Sequence, residues 1–320
     1  MKEWHIKDSV RVTSFLVDKV TILKGEQKEW CQLVEYFSDY FSYKGIQINL
    51  FENQTLIPRR DFLFQILSPN DPTKFISLEK ALIRQEKEFL TNLEFSPFYK
   101  QLVESWEELI EEVDFLNTQQ KTNTTHYTLL PFDKKWIQTS LSFSKKNSAQ
   151  LSHYEKLILQ INVLEESISD KKLIIYIQFP EVVLSDKELE HFIYYLQQSP
   201  NGILYFIQTE NPSLFPTNIV YKEKIRNKTI CYAVKDQLIS KIPSSWSEET
   251  FQHACNWYMI LVDKYAQETV LLSLKTVDNL SIFIYVYSLF ILTNTPVIVD
   301  LTAVTANIKK YFENLIQDKV

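Results

Sequence analysis

The chain has 320 residues, of which 45% are hydrophobic and 14% aromatic, and this composition excludes a largely disordered protein. Its formal net charge of -6 gives no overall attraction to nucleic acid, so such a function would require a local basic segment. The three glycines are too few and too far apart for a glycine-rich phosphate loop, and the three cysteines form neither a CxxC zinc motif nor a disulfide framework.

The N-terminal stretch and the longest apolar run do not predict a membrane segment. The stretch MKEWHIKDSVRV lacks an apolar signal-peptide core. The run from Leu280 to Leu292 covers about half of a bilayer and contains two serines, so we expect a buried helix. With the scattered cysteines, these features predict a cytoplasmic protein with no membrane partner.

The first 72 residues predict strands around one helix. Apolar segments at 12–17 and 20–23 predict a hairpin, or an edge strand that leads into a core strand. Further strands are expected at 46–51 and 62–67, so this part of the chain forms an α/β sheet. The helix between them has an inward stripe of Trp30, Leu33, Val34, Phe37 and Phe41.

Residues 75–116 have the pattern of two amphipathic helices. Ser96-Pro97 separates them, and proline suits the first turn of a new helix. Two such helices with a short joint predict an antiparallel hairpin inserted into the α/β domain. The apolar face of the first helix is Leu78, Leu82, Phe89 and Leu93, and that of the second is Leu102, Trp106, Leu109, Val113 and Leu116.

The stretch 171–208 gives the clearest prediction of structure. A buried strand at 173–177, a helix that begins after Ser185 and a second buried strand at 203–207 form a crossover in a parallel sheet. The remaining core elements are a short strand at 136–143, a helix at 151–164 and strands near 217–221 and 229–234.

Three domains follow from these elements. We predict an α/β core domain from 1–72 and 129–237, and a helical insertion domain at 73–128. A mainly helical C-terminal extension covers 238–320, with one helix beginning at Ser247. The extension has little core of its own in this interpretation, so it should pack on the main body or on another subunit.

A nucleotide site after the strand at 20–23 is the first candidate for chemistry. The turn contains Gly25 and Lys28, but the second glycine and the Lys-Ser/Thr pair of a P-loop are missing. The strand at 173–177 ends in Gln178-Phe179, without the aspartate that holds magnesium. The histidines are scattered and form no nucleophile signature. We therefore predict no enzyme, no catalytic residues and no functional ATP site; a divergent RecA-like nucleotide-binding enzyme with Lys28 on a phosphate is the alternative.

The charges of the chain are divided unequally between two segments. Residues 75–116 carry ten acidic and four basic side chains, and on a helix such carboxylates usually form a solvated outer face. Residues 121–150 carry five lysines and one acid, which favours contact with phosphates. Arg59 and Arg60 stand beside a strand end and extend this set.

The order of these features resembles a known family. The likeness is carried by KKLIIYIQFPEVVLSDKELEHFIYYLQQSPNGILYFI at 171–207, LFP at 214–216, VTIL at 20–23 and ELI at 108–110. These stretches resemble the CRISPR-associated adaptation protein of type II-A systems, the Csn-two family, over roughly the first 237 residues. The C-terminal extension has no counterpart in the short members, so the chain resembles a long-form member.

The resemblance implies a RecA-like, mostly parallel sheet that does not hydrolyse ATP, with an inserted α-helical hairpin domain. It implies a homotetrameric ring that holds double-stranded DNA, preferably by a free end, in a lysine-lined central channel. It also implies a role in CRISPR spacer acquisition beside the integrase and the effector nuclease. The DNA-binding residues predicted on this basis are Lys134, Lys135, Lys145, Lys146, Arg59 and Arg60. A DNA-independent scaffold for adaptation proteins is the third interpretation.

Calcium is the one cofactor that the resemblance implies. Short members bind it at an acidic loop after the helical insertion, but in the corresponding segment of this chain, 124–133, Asp133 is the only carboxylate. A calcium site would need help from the acidic helix, with Glu111, Glu112 and Asp114 as ligands beside Asp133. Without calcium, the C-terminal extension would supply rigidity or subunit contacts.

Overall fold

A computed structural model of the chain describes residues 1–8, 12–42, 48–68, 87, 89–119, 125–140, 151–166, 171–243, 245–266 and 268–317. The chain divides into two compact units, which we call the α/β unit and the helical unit. The α/β unit is Met1–Lys74 with Leu164–Val320, and the helical unit is Phe75–Val163.

Strands occur throughout the α/β unit. They are β1 (Lys2–Lys7), β2 (Val12–Val17), β3 (Val20–Gly25), β4 (Asn49–Glu52), β5 (Thr55–Leu56), β6 (Phe62–Leu67), β7 (Lys172–Gln178), β8 (Ile203–Gln208), β9 (Asn218–Tyr221), β10 (Lys224–Arg226), β11 (Val270–Ser273) and β12 (Val297–Asp300). The α-helices with described bounds are α1 (Gln27–Phe41), α2 (Pro97–Gln119), α3 (Lys134–Ser140), α4 (His153–Glu166), α5 (Asp186–Gln198), α6 (Lys228–Ala233), α7 (Lys235–Lys241), α8 (Glu248–Lys264), α9 (Leu280–Leu292) and α10 (Ala306–Gln317).

The main sheet has the strand order β10-β9-β3-β8-β7-β6. Strands β9 to β6 are parallel to their neighbours, and β10 is antiparallel to β9. The chain therefore has an α/β fold with a mostly parallel sheet, in which β8 lies between β3 and β7, and this part of the predicted fold class is confirmed.

The crossover from β7 to β8 forms as predicted. Five successive residues of β7, from Leu173 to Ile177, are fully buried, as expected for a parallel strand covered on both faces. Ser185 caps helix α5, and its backbone N–H donates to Glu188 Oε2 at 2.9 Å, which completes a capping box.

A second, antiparallel sheet has the order β2-β1-β4-β5. The sequence interpretation missed β1, and it assigned β2 and β4 to the main sheet. An aromatic cluster joins this sheet to α1 and the main sheet: the ring of Trp4 lies 6.3 Å from Phe15 and 6.1 Å from Phe37, both edge to face. Edge-to-face pairs of this kind stabilise a core beyond their buried area.

The helical unit contains α2, which begins at Pro97 as predicted. Residues 89–94 before it are also helical. The first helix of the hairpin was predicted mainly over residues 73–86, which lie outside the described residues. Trp106 of α2 donates its indole N–H to the Leu130 carbonyl oxygen at 2.9 Å, and its ring lies 5.2 Å from Trp136. These contacts hold the segment 125–140 against α2.

Two predicted strands are wrong, because each lies in a helix. Residues 136–140 of the strand predicted at 136–143 belong to α3, and the rest of that strand lies outside the described residues. Asp133 Oδ1 accepts from the Lys135 N–H at 2.9 Å and caps the helix. The strand predicted at 229–234 is α6, capped by Asn227, whose side chain accepts from the Thr229 N–H at 3.1 Å. In both segments the apolar residues are compatible with a strand or a helix, and the capping residue favours the helix.

The C-terminal extension has a substantial core, contrary to the expectation that it would have little. Helix α9 is buried on most sides, as predicted, and packs beside α8. The extension also contains a parallel pair of strands, β11 and β12, on which α9 is the crossover. This core includes Ile219 and Tyr221 of β9, so the extension packs on the main body of the α/β unit.

Candidate nucleic-acid interface and the phosphate-loop position

The turn between β3 and α1 is closed by backbone pairing. Gly25 pairs in parallel with Val220 of β9 and has φ +91, a conformation that favours glycine. A Cβ atom at Gly25 would lie 2.1 Å from the Val220 carbonyl oxygen, and the Glu26 N–H points to the same oxygen at 3.4 Å. One backbone N–H of this turn, that of Glu26, is therefore directed at β9, and Gly25 is held against the same strand.

Carboxylates flank the start of α1. A cavity of about 490 Å³ at this point is lined by Gly25, Glu26, Gln27, Lys28 and Glu210. Gln27 donates its side-chain N–H to Glu210 Oε1 at 2.9 Å. Two carboxylates against one lysine oppose a triphosphate, because like charges repel in a partly enclosed site.

Neutral side chains occupy the end of β7, where a magnesium ligand would stand. Gln178 and Phe179 follow the buried strand, and Phe179 has a left-handed backbone with φ 46. The Tyr176 hydroxyl donates to Gln208 Oε1 at 2.9 Å, and burial raises the pKa of Tyr176 well above its ordinary value. Tyrosine in this setting stays neutral and acts as a structural donor.

The two carboxylates that follow β7 are engaged in holding loops. Glu181 Oε1 accepts the backbone N–H of Glu210 at 2.7 Å, and Asp186 Oδ1 accepts from the Asn211 side chain at 2.8 Å. These bonds tie the segments after β7 and β8 together at the carboxyl edge of the sheet. The same edge carries ligands in many α/β proteins, but here one oxygen of Glu181 and one of Asp186 bond to the segment after β8.

The lysines predicted to contact DNA belong to the helical unit. Lys134 and Lys135 are the first two residues of α3, and the side chain of Lys135 is exposed. The side chain of Lys134, and the whole of Lys145 and Lys146, lie outside the described residues. The structure therefore places one predicted lysine side chain on an exposed helix start and leaves the grouping of the four as a prediction.

The two predicted arginines belong to the α/β unit and differ in their surroundings. Arg59 donates from Nη2 to the Ile48 carbonyl oxygen at 2.9 Å, and its guanidinium lies 4.4 Å from the centroid of the Tyr40 ring. A cation in this position stabilises the fold. Arg60 is exposed, so it is the better candidate for a phosphate contact.

The predicted metal ligands are not gathered at one point. Glu111, Glu112 and Asp114 are exposed on α2, whereas Asp133 caps α3. Within the described ranges, no three His, Cys, Asp or Glu side chains come close enough to hold a metal ion. The capping bond gives Asp133 a structural role that needs no cation.

Replacing Asp133 tests whether it is a cap or a ligand. Asp133→Ala should lower the stability of the helical unit by about 1 kcal/mol, because the first turn of α3 loses its acceptor, while Asp133→Asn should retain most of it. Thermal unfolding followed by circular dichroism measures both variants, with and without calcium. Equal losses for alanine and asparagine, together with stabilisation of the unchanged protein by calcium, would instead identify a ligand.

Sequence reasoning missed a basic hairpin in the α/β unit. The turn from β9 to β10 places Lys222 (φ 49) and Glu223 (φ 60) at its tip, with Lys224 and Lys228 after it. Lys228 lies 4.8 Å from the centroid of the Phe215 ring. The run KEKIRNK at 222–228 is the sequence signal for this hairpin.

The described residues define an α/β protein with a mostly parallel sheet, a helical unit and a C-terminal extension packed on the sheet. Among solved structures, the crystal structure of Stu0660 of Streptococcus thermophilus is similar, with 15% identity over 83% of this chain and 86% of that chain, and a TM-score of 0.45. No protein-family model and no curated protein matches the chain. Within the described part of the chain, no helix is long and apolar enough to cross a membrane.

Proposed function

We propose that this protein is a non-catalytic, ring-forming protein that binds the ends of double-stranded DNA and supports CRISPR spacer acquisition in the cytoplasm. In this proposal four copies form a ring, and the DNA lies in a basic central channel. The integrase and the effector nuclease are its protein partners. The proposal combines the resemblance seen in the sequence with the state of the phosphate-loop position.

The closed turn at Gly25 is the observation that carries this proposal. A RecA-like sheet normally presents this turn to a nucleotide, but here β9 uses its backbone and Glu26 and Glu210 stand beside it. A sheet that has lost its phosphate site still serves as a rigid scaffold. This favours a binding protein over the nucleotide-dependent enzyme that was the alternative.

Contacts to DNA in this proposal are electrostatic. Lys134, Lys135, Lys145 and Lys146 contact phosphates, with Arg60 as an additional contact, and the bases are not read. Repetition of one patch around a symmetry axis turns weak contacts from each subunit into useful affinity. A ring also explains how a chain with a net charge of -6 binds DNA, since only the channel needs to be basic.

Exposed apolar residues on the helical unit support self-association in the proposal. Phe95, Leu102, Leu109 and Leu116 recur at seven-residue spacing along and just before α2, and they are 75%, 43%, 46% and 52% exposed. Seven-residue spacing puts them on one side of the helix, next to the stripe that packs on Trp136. An apolar row of this length is typical of a contact surface, and in this proposal it meets another subunit beyond what the first helix of the predicted hairpin covers.

Nucleotide binding distinguishes the proposal from the enzyme alternative. We expect no measurable retention of ATP with magnesium in equilibrium dialysis, because two carboxylates flank the phosphate-loop position. Lys28→Ala is the matched variant: if micromolar binding were found and Lys28→Ala abolished it, the enzyme alternative would be correct.

DNA topology tests the ring directly. Light scattering should give the mass of a tetramer, and linear duplex should compete for binding much better than closed circular duplex of the same sequence, because a closed ring is threaded from an end. A monomer, or equal competition by the two DNA forms, would refute the ring. Adaptation proteins captured without DNA affinity at any salt concentration would support the scaffold interpretation.

A further inference from the structure

A groove of about 390 Å³ runs between β2 and β10 in the α/β unit. These strands are the free edges of two different sheets. One wall is formed by Val12, Thr13 and Ser14 of β2, and the other by Lys224 and Ile225 of β10. Among the described residues, no backbone hydrogen bond joins the two strands along the groove.

At one point on the outer edge of β2, the side-chain amide of Asn218 makes the two hydrogen bonds that a neighbouring strand would make. The Leu16 N–H donates to Asn218 Oδ1 at 2.8 Å, and the Leu16 carbonyl oxygen accepts from Asn218 Nδ2 at 2.7 Å. Backbone groups on one edge of a strand recur at every second residue, so the N–H and C=O groups of Ser14 and Val12 point in the same direction. The His5 and Ser14 side chains lie 2.7 Å apart across the pair, as expected for non-hydrogen-bonded partners.

On the other side of the groove, the outer edge of β10 presents the backbone N–H and C=O groups of one residue, Ile225. Tyr221 and Lys224 flank a two-residue turn in which both central residues have positive φ, and such flanking residues form the hydrogen-bonded pair of the hairpin. The next pair, Ile225 with Val220, is then non-hydrogen-bonded within the sheet. The backbone N–H and C=O of Ile225 therefore point toward β2.

The charges along the groove select the kind of segment that fits it. Three glutamates, Glu3, Glu29 and Glu223, line it against one lysine, Lys224, and the other two lysines of the basic hairpin, Lys222 and Lys228, are not among its lining residues. Val12 is 59% exposed at its open end and provides an apolar contact. An extended segment that alternates basic and apolar side chains matches both the backbone edge and the carboxylates.

We propose that this groove binds an extended, basic peptide segment of a partner protein, which adds as a strand to the outer edge of β2. The Asn218 carboxamide marks the closed end of the site, where it makes the two bonds that the next residue of the partner would make. Main-chain hydrogen bonds to Ser14 and Val12 hold the segment, and the glutamates select its charge.

Binding of a short peptide to the full-length protein in solution tests the proposed strand addition. The probe is a fluorescein-labelled hexapeptide of alternating lysine and valine, and its binding is followed by fluorescence anisotropy. The same peptide with N-methylated backbone amides keeps the side chains and loses the donors. It should bind at least about tenfold more weakly, because the main-chain donors that bond to the edge of β2 are lost. An alternating glutamate–valine peptide should not bind.

Two variants of one residue locate the site. Ser14→Pro removes an N–H that faces the groove and leaves the ladder to β1 intact, so the strand tolerates it as edge strands do. Ser14→Ala loses the hydroxyl and keeps the N–H. Peptide binding should fall with proline and persist with alanine, and Glu3→Gln with Glu223→Gln should weaken only the basic peptide.

Three results would overturn the proposal. These are equal binding by the N-methylated peptide, equal binding to the proline and alanine variants, and no binding of the lysine–valine peptide. If the peptide does not bind and Ser14→Pro lowers the mass measured by light scattering, a second copy of the chain occupies the groove instead.

Discussion

Replacing Asp263 by alanine is expected to destabilise the α/β unit by about 3 kcal/mol, because the change leaves a buried charge without its partner. Lys24 at the end of β3 is only 2% exposed, and its Nζ lies 2.6 Å from Asp263 Oδ2 at the end of α8. Asp263 is 23% exposed, so water offers the lysine some compensation, and we expect the lower end of the range for broken buried pairs.

A double variant separates the pair from its desolvation cost. Lys24→Met with Asp263→Leu removes both charges and keeps similar volumes, so its stability should be close to that of the unchanged protein. Asp278→Ala removes an exposed carboxylate of the same extension and should change stability by less than about 0.5 kcal/mol. Urea unfolding measures all variants. A loss for Asp263→Ala no greater than that for Asp278→Ala would show that the pair does not hold the extension on the sheet.

Contacts of this kind explain why the extension was predicted incompletely. Asp263 is separated from Lys24 by 239 positions, and neither residue has a local pattern that indicates the other. The same holds for Arg226, which is buried and donates to the carbonyl oxygen of Thr293, just after α9, at 3.2 Å. A cation at the C-terminal end of a helix is favourable, but the sequence does not show which helix it will meet.

Local signals, in contrast, predicted the crossover from β7 to β8. The apolar run of β7 is continuous, and Ser185 with Glu188 has the spacing of a capping box. The helix α3 was missed because Trp136 and Ile137 suit a strand equally well, and the contact of Trp136 with Trp106 comes from a distant helix. The cap at Asp133 was the local signal for a helix, and the packing of Trp136 on Trp106 adds to it.

In the candidate site too, features set by neighbouring residues could be predicted from the sequence, and features set by tertiary contacts could not. The missing glycine and the missing aspartate of a nucleotide site could be read directly from the sequence, because those are requirements on neighbouring residues. The presence of Glu210 beside the turn at Gly25 could not, since it depends on the pairing of β3 with β8. The contact of Arg59 with the Tyr40 ring was likewise invisible, although it changes which arginine is free to meet a phosphate.

Reversing the charge of the four predicted lysines should have the largest effect on function. The variant with Lys134, Lys135, Lys145 and Lys146 all changed to glutamate should bind linear duplex DNA about 100-fold more weakly or worse at moderate salt. Phosphate contacts release condensed counterions, so the logarithm of the affinity falls linearly with the logarithm of the salt concentration. Each single Lys→Gln change at a residue that contacts a phosphate should reduce this slope by about one.

A matched variant distinguishes local contacts from net charge. Lys187, Lys264, Lys275 and Lys310 are exposed lysines of the α/β unit, and changing all four to glutamate alters the net charge by the same amount. If the proposed patch meets the DNA, this control should keep most of the affinity and the full salt slope, because lysines that contact no phosphate release no condensed counterions. Equal losses in the two variants would mean that DNA responds only to overall charge. Affinity retained by the first variant and lost by the control would move the interface to the α/β unit.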